Sequence, residues 1–145
     1  MTAPTRAHFR QFIRETVRWG DMDALGHVNN ARFFTYDESG RIAYFEPWKE
    51  LDPGFWDAHG LILAHIGCDF LAQLRYPAQL DIGTRIARLG KSSLHTESAM
   101  FEGERAVAVV RGVVVWFDYR AQRPLPLPPR LREWIRAREA LAPEE

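Results

Sequence analysis

Two aspartates, a histidine and two asparagines fall within one short stretch, Arg18-Trp19-Gly20-Asp21-Met22-Asp23-Ala24-Leu25-Gly26-His27-Val28-Asn29-Asn30. A β-type segment ending in Thr16-Val17-Arg18-Trp19 leads into it, and a helix-like segment, Ala31 to Phe45, leads out. The helix start gives these polar residues a chemical use. Its first N–H groups lack intrahelical acceptors and carry the positive end of the helix dipole. Such an end binds carboxylates and phosphates, and it stabilises an oxyanion developing on a carbonyl. Asp23, a few residues upstream, is close enough in the chain to face the same point. A carboxylate opposite an oxyanion site is the minimum equipment for hydrolysing an activated acyl group, the acid serving as base or as nucleophile.

Other chemistries compete for the same residues. Asp23 alone also reads as a turn aspartate bonding its own backbone. Asp21 is assigned a structural part, capping the turn or pairing with Arg18. Asp21-x-Asp23-x-x-Gly26 opens like a calcium loop, but Leu25 and Arg32 stand where oxygen ligands belong. Asp21, Asp23 and His27 as a transition-metal set lack a further His or Cys cluster, so no metal site is assigned. His27 is either a general base or a loop-shaping hydrogen bonder, and the second role is preferred. Cys68 lies on the opposite strand parity from His65 and Asp69, which argues for a core cysteine over a nucleophile. Ser92 and Ser93 lack a nucleophile-elbow context. Lys91-Ser92-Ser93 reads as a solvated turn or as a phosphate contact.

The elements that must position these groups follow from pattern. Phe9 to Trp19 reads as a strand with imperfect alternation. Asn29 or Asn30 is the N-cap of a helix that runs to about Phe45 and is stopped by Pro47. Phe33, Phe34, Tyr36, Ile42, Ala43, Tyr44 and Phe45 make most of that helix apolar, which predicts burial nearly all round. Gly40 in mid-helix predicts a close approach by a curved sheet. Strands are expected over Leu61 to Leu74, bent at Gly67, and then over Ile82 to Leu89, Leu94 to Phe101 and Ala106 to Phe117. Residues 1–8 read as a frayed end. Residues 124–129 form a Pro-rich connector, followed by a short amphipathic helix from Leu131 to Leu141. The order of one strand, a buried helix and four antiparallel strands predicts an α+β domain with one helix against one sheet.

Composition bounds the rest. A chain of 145 residues, 46% hydrophobic and 26% charged, predicts a single globular domain, 1–145. Zero net charge gives no support for nucleic-acid binding. The lone Cys68 excludes an internal disulfide. No apolar run approaches the roughly 20 residues of a membrane span, and no secretory signal is visible at the start. A cytoplasmic location is the expectation.

Asp-x-x-Gly-His-Val-Asn-Asn entering an aromatic-rich helix with Phe33, Phe34, Glu38 and Arg41 resembles the hotdog-fold acyl-CoA thioesterases of the 4-hydroxybenzoyl-CoA thioesterase type, over residues 10 to 120. The resemblance implies an antiparallel sheet of about five strands wrapped around a long buried helix. It makes Asp23 the catalytic carboxylate and the Asn30 amide the group that polarises the thioester carbonyl, with help from the Asn29 amide. It places Lys91, Ser92 and Ser93 where such enzymes hold the nucleotide end of CoA, with His27 and Asn29 on the substrate side. It also implies a homodimer or homotetramer with active sites at the interface. Thioesters are already activated, so no metal or cofactor is expected, CoA being part of the substrate. His-Val-Asn-Asn resembles plant acyl-carrier-protein thioesterases as well, which leaves a carrier-protein substrate as an alternative. A non-catalytic acyl-CoA-binding module is a further alternative, but it has no use for Asp23. A hotdog dehydratase would need a paired Asp and His in a hydratase-type motif, which is absent.

Overall fold

The computed structural model describes residues 3–145. Six strands form one antiparallel sheet: β1 (Gln11–Thr16), β2 (His59–Phe70), β3 (Gln79–Leu89), β4 (Ser93–Glu102), β5 (Arg105–Asp118) and β6 (Arg123–Pro124). Their order is β1-β3-β4-β5-β2, with β6 added to β5 as a short hairpin partner. Helix α1 (Asn30–Phe45) lies against the concave face. Helix α2 (Pro129–Arg138) closes the end of the sheet where α1 finishes. This is the hotdog arrangement expected from the resemblance. Register shifts at Leu63/His65, Ile86/Arg88 and Met100/Phe101 mark irregularities of the kind that bend strands, letting the sheet wrap. Among the described residues, no helix is long and apolar enough to cross a membrane.

The buried positions of α1 are Phe33, Tyr36, Asp37, Gly40, Arg41, Tyr44 and Phe45, a stripe at spacings of three and four. Thr35, Glu38 and Ile42 face outward. The expectation of burial all round therefore fails. The aromatic count suggested it, but two of the seven stripe positions are the charged Asp37 and Arg41. These two form a belt between two apolar clusters, one around Phe33, Tyr36 and Met100, the other around Tyr44, Phe45 and Trp116. Within the belt, Arg41 Nη1 donates to Asp37 Oδ2 at 2.7 Å and Ser98 Oγ donates to Asp37 Oδ1 at 2.6 Å. Burial pushes the Asp37 carboxyl above its usual range, and these two donors oppose that rise. The buried helix acid is thus Asp37, and the motif's Glu38 is exposed.

Gly40 meets the close approach predicted for it. A Cβ there would stand 2.6 Å from Thr84 Oγ1 and 3.1 Å from Ile82 Cγ2, both on β3. Ala in place of Gly gains about 1 kcal/mol of helix propensity, whereas overpacking a core costs about 1–3 kcal/mol. Gly40→Ala should therefore lower Tm, and adding Thr84→Ala should recover part of the loss. A higher Tm for Gly40→Ala alone would contradict the tight helix–sheet contact.

Several boundaries differ from expectation. Helix α1 does end at Phe45 as expected, but the chain goes on turning through Glu46–Glu50 as a 3-10 segment with Pro47 in its first turn, where a missing N–H costs little. Strand β2 ends at Phe70, and its irregularity lies at Leu63/His65, not at Gly67. Leu74 leaves the strand but stays buried, its carbonyl accepting the Val28 N–H. The frayed start is also corrected over its described part, while Met1 and Thr2 lie outside the described residues. Arg6–His8 forms a 3-10 turn, and Arg6 donates to Asp81 at 2.9 Å and to the Gly103 carbonyl at 3.1 Å. Phe9 packs with Phe101, Ala99 and Val109 on the convex face.

Candidate active site at the helix start

The loop from Gly20 to Asn29 is built by its own polar groups. The Asp23 N–H donates to the His27 carbonyl, and the Gly26 N–H to the Asp23 carbonyl, both at 3.0 Å. Gly26 sits at φ 82°, a backbone position where a side chain would be strained. Asp21 is 8% exposed and holds the loop to its surroundings. Its Oδ2 accepts the Arg18 N–H at 2.9 Å and the Tyr36 hydroxyl at 2.8 Å, while Arg32 stands 3.7 Å from Oδ1. Asp21 thus makes the turn contact expected of it, although its pairing with Arg18 is through the Arg18 backbone.

Asp23 Oδ1 accepts the Leu25 N–H at 2.9 Å, so the carboxylate does make a turn bond. Oδ2 accepts Asn29 Nδ2 at 3.1 Å. The same Asn29 side chain accepts the Ala31 N–H through Oδ1 at 2.9 Å, which is the N-cap bond. One asparagine thus both caps α1 and ties Asp23 to the helix start. The Asn29 N–H donates to the Asp21 carbonyl at 2.9 Å. The expectation of a second oxyanion donor from the Asn29 amide is corrected by that bond. The Asn30 N–H, at the first helical position, takes no partner among the described residues. It is the free donor that the helix start offers.

Two adjacent clefts flank this point. Asn30 and His27 line one of about 300 Å³, together with Phe33, Phe70, Leu71 and Leu74. Asp23 and Asn29 line another of about 310 Å³, with Asp21, Arg32 and Thr35. The loop and α1 therefore bring Asp23, His27, Asn29 and Asn30 to one end of the molecule, but Asp23 and Asn30 open into neighbouring clefts, with the Asn29 side chain bonded at both sides. His27 Nε2 lies 3.3 Å from Arg75 Nη2. Phe70 and Leu71, each 48% exposed, supply an apolar wall that the motif did not indicate. Their only sequence signal was an apolar run at the end of a strand.

Lys91, Ser92 and Ser93 lie elsewhere within the chain. Their turn is fastened at the α2 end: the Lys91 carbonyl accepts the Leu127 N–H, and the Ser92 carbonyl accepts the Trp116 N–H. Leu89 and Leu94, on either side of it, pack with Tyr44 and Phe45 at the end of α1. The 16 residues of α1 separate this turn from Asn30, a span of about 24 Å at the usual helical rise. Cys68 packs against the core, and burial pushes its thiol up to about 11, which disfavours the thiolate a nucleophile needs. Among the described residues, no three His, Cys, Asp or Glu side chains converge as a metal-binding group.

The sequence profile of the Thioesterase-like superfamily matches residues 17–135. A thioesterase from Thermus thermophilus, solved in complex with coenzyme A and Zn, is 36% identical, with a TM-score of 0.80 over 92% of this chain and 98% of that one. The PA5185 protein of Pseudomonas aeruginosa is 30% identical, with a TM-score of 0.83 over 96% of this chain and 98% of its own. The chloroplastic acyl-acyl carrier protein thioesterase ATL3 of Arabidopsis thaliana is 24% identical over 80% of this chain, a match that spans 62% of the plant protein.

Proposed function

The chain belongs to the Thioesterase-like superfamily, and from that premise we propose that it hydrolyses acyl-CoA thioesters to free acid and CoA. The observation that carries this reading is the Asn30 N–H at the head of α1, which has no partner among the described residues, with the Asp23 carboxylate tied beside it through Asn29. The thioester carbonyl is seated at the Asn30 amide, with its acyl group along Phe33, Phe70 and Leu71. Asp23 takes a proton from water as the water oxygen bonds to the carbonyl carbon, and the oxyanion formed is held at Asn30. The C–S bond then breaks, and the thiolate of CoA takes up a proton. Direct attack by Asp23, giving a mixed anhydride that water opens, uses the same two groups.

Assembly is part of the same reading. Among the described residues β2 pairs only with β5, which leaves an open edge with Ile62 and Leu63 about 40% exposed, a feature that monomers usually blunt. The His59 end of β2 lies on the Lys91 side of the sheet, because Leu61 pairs with Trp116 and Ser93 pairs with Val115 on β5. The Phe70 end lies by Phe33 and the helix start, with the two rings 5.4 Å apart. Antiparallel pairing of β2 with the same strand of a second copy brings the partner's turn toward this chain's helix start. That geometry gives Lys91, Ser92 and Ser93 access to the phosphates of a CoA whose thioester is at Asn30.

The coenzyme A complex of the Thermus thermophilus relative supports CoA as the carrier. The likeness to the Arabidopsis enzyme favours a second reading, in which the acyl group arrives on an acyl carrier protein. Purified protein should release free thiol from a panel of acyl-CoA species, and the active species should sediment as a dimer or larger. Release from acyl carrier protein alone would select the second reading. No release from either carrier, or full activity in a sedimenting monomer, would contradict the proposal or its assembly respectively.

A further inference from the structure

The convex face of the sheet, turned away from α1, carries a basin of about 540 Å³. Its floor is two adjacent rows of side chains running across the strands. In the first, Arg85 on β3 faces Glu97 on β4, and Glu97 faces Arg111 on β5. In the second, Arg88 faces His95, His95 faces Val113, and Val113 faces His65 on β2. The sheet itself separates this basin from the cleft at Asn30, since the alternate residues Leu94, Thr96 and Ser98 point to the α1 side.

Charge in the basin is arranged unevenly. Glu97 is 7% exposed and accepts Arg85 Nε at 2.8 Å on one oxygen and Arg111 Nε at 3.0 Å on the other. A buried carboxylate thus holds two guanidinium groups by their Nε atoms. Among the described residues both terminal nitrogens of Arg85 and one of Arg111 stay unspent, because only Arg111 Nη1 has a further partner there, Asp69. Arg88, His65 and His95 make no side-chain hydrogen bond or ion pair among the described residues, although all three line the basin. The exposed Glu144 is the other acid there. One wall is built by the returning C-terminal segment. Glu144 pairs through its backbone with Ala87 and Leu89, and Glu145 is held by Arg132 and Arg136. Forked guanidinium donors fixed by a buried strut, beside unpaired cationic and imidazole donors, match the oxygens of a phosphate group.

We propose that this basin is an anion site, separate from the helix-start cleft, that binds the phosphate group of a small metabolite. The phosphate arrives either on a nucleotide, for which the basin has room, or as the free ion. The proposal does not depend on the acyl-CoA reading, because binding here is measured without turnover.

The chain has 5 histidines, so their imidazole resonances can be followed separately by NMR. Titration with adenosine 3′,5′-bisphosphate, and separately with inorganic phosphate at matched ionic strength, should shift His65 and His95 saturably and leave His8 and His59 in place. Saturation by the nucleotide at a tenfold lower concentration than phosphate assigns a nucleotide ligand, and equal saturation assigns the free ion. Arg88→Glu should weaken binding at least tenfold, while Arg105→Glu, on the β4–β5 hairpin, should not. Absence of saturable shifts at His65 and His95, movement of His27 alone, or equal weakening by both substitutions would overturn the proposal. So would a change in sedimentation of Arg88→Glu without any effect of phosphate, which would make the basin a contact between subunits.

Discussion

Asp23→Asn is expected to lower kcat for acyl-CoA at least about 10²-fold and leave the fold intact, as for loss of a base or nucleophile. The substitution keeps an oxygen that can accept the Leu25 N–H, so the turn bond survives. What it removes is the charge, and with it the capacity to take a proton or to attack, together with the bond from Asn29 Nδ2, which then faces an amide NH2 in place of Oδ2. Asp21→Asn separates the two acids by a different readout. Asp21 accepts the buried Tyr36 hydroxyl and the Arg18 N–H, so its change should reduce Tm, with much less effect on kcat of the folded protein. Hydrogen bonds to a charged acceptor are worth about 1.5–3 kcal/mol, enough for a clear thermal shift. Near-normal turnover in Asp23→Asn, or greater kinetic sensitivity at Asp21, would transfer the chemistry to another group.

Asn30→Pro is the sharper test of the oxyanion donor, because the donor is a backbone amide that ordinary side-chain replacement leaves in place. Proline is favoured at the first helical position, where its missing N–H has no intrahelical partner to lose. The preceding residue must be extended, and Asn29 already has φ −62° and ψ 140°. The variant should therefore fold with α1 intact and lose about 10²–10³-fold in kcat, the usual cost of one oxyanion donor. Asn30→Ala keeps the N–H and should retain most of the activity. Equal losses in the two variants would show that the side chain or the local geometry matters, and not the amide.

The parts of this molecule that were readable from sequence are those fixed by neighbours in the chain. The Asp23-to-Asn30 loop closes on itself through bonds spanning few residues, and Asn29 caps its own helix. Strands β4 and β5 were marked by β-rich runs on either side of the Glu102-Gly103-Glu104 turn. Gly40 signalled the close sheet because a mid-helix glycine is costly without a reason. Features made by distant segments were not readable. Nothing local marks Asp37 as buried, since its acceptors are satisfied by Arg41 one turn on and by Ser98, 61 residues away. Glu139 likewise lies in a segment that reads only as the end of an amphipathic helix. It accepts the Ile86 N–H where β1 no longer covers β3, and the Tyr44 hydroxyl from α1. The anchoring of Arg6 on Asp81 and the apolar wall from Phe70 and Leu71 have the same origin. The Lys91 turn shows the limit most clearly. Its composition suits a phosphate, yet a single chain holds it at the far end of α1 from Asn30.

The central claim is that the Asn30 amide polarises the thioester carbonyl. The most direct measurement is the vibrational spectrum of the best acyl-CoA of the panel, labelled with carbon-13 at the thioester carbonyl and bound to the slow Asp23→Asn protein. A hydrogen bond at that oxygen weakens the C=O bond, so the carbonyl stretch should fall to lower wavenumber on binding. The shift should disappear in Asp23→Asn/Asn30→Pro at saturating ligand. A carbonyl band that is unmoved in Asp23→Asn, or moved equally in both proteins, would contradict the account.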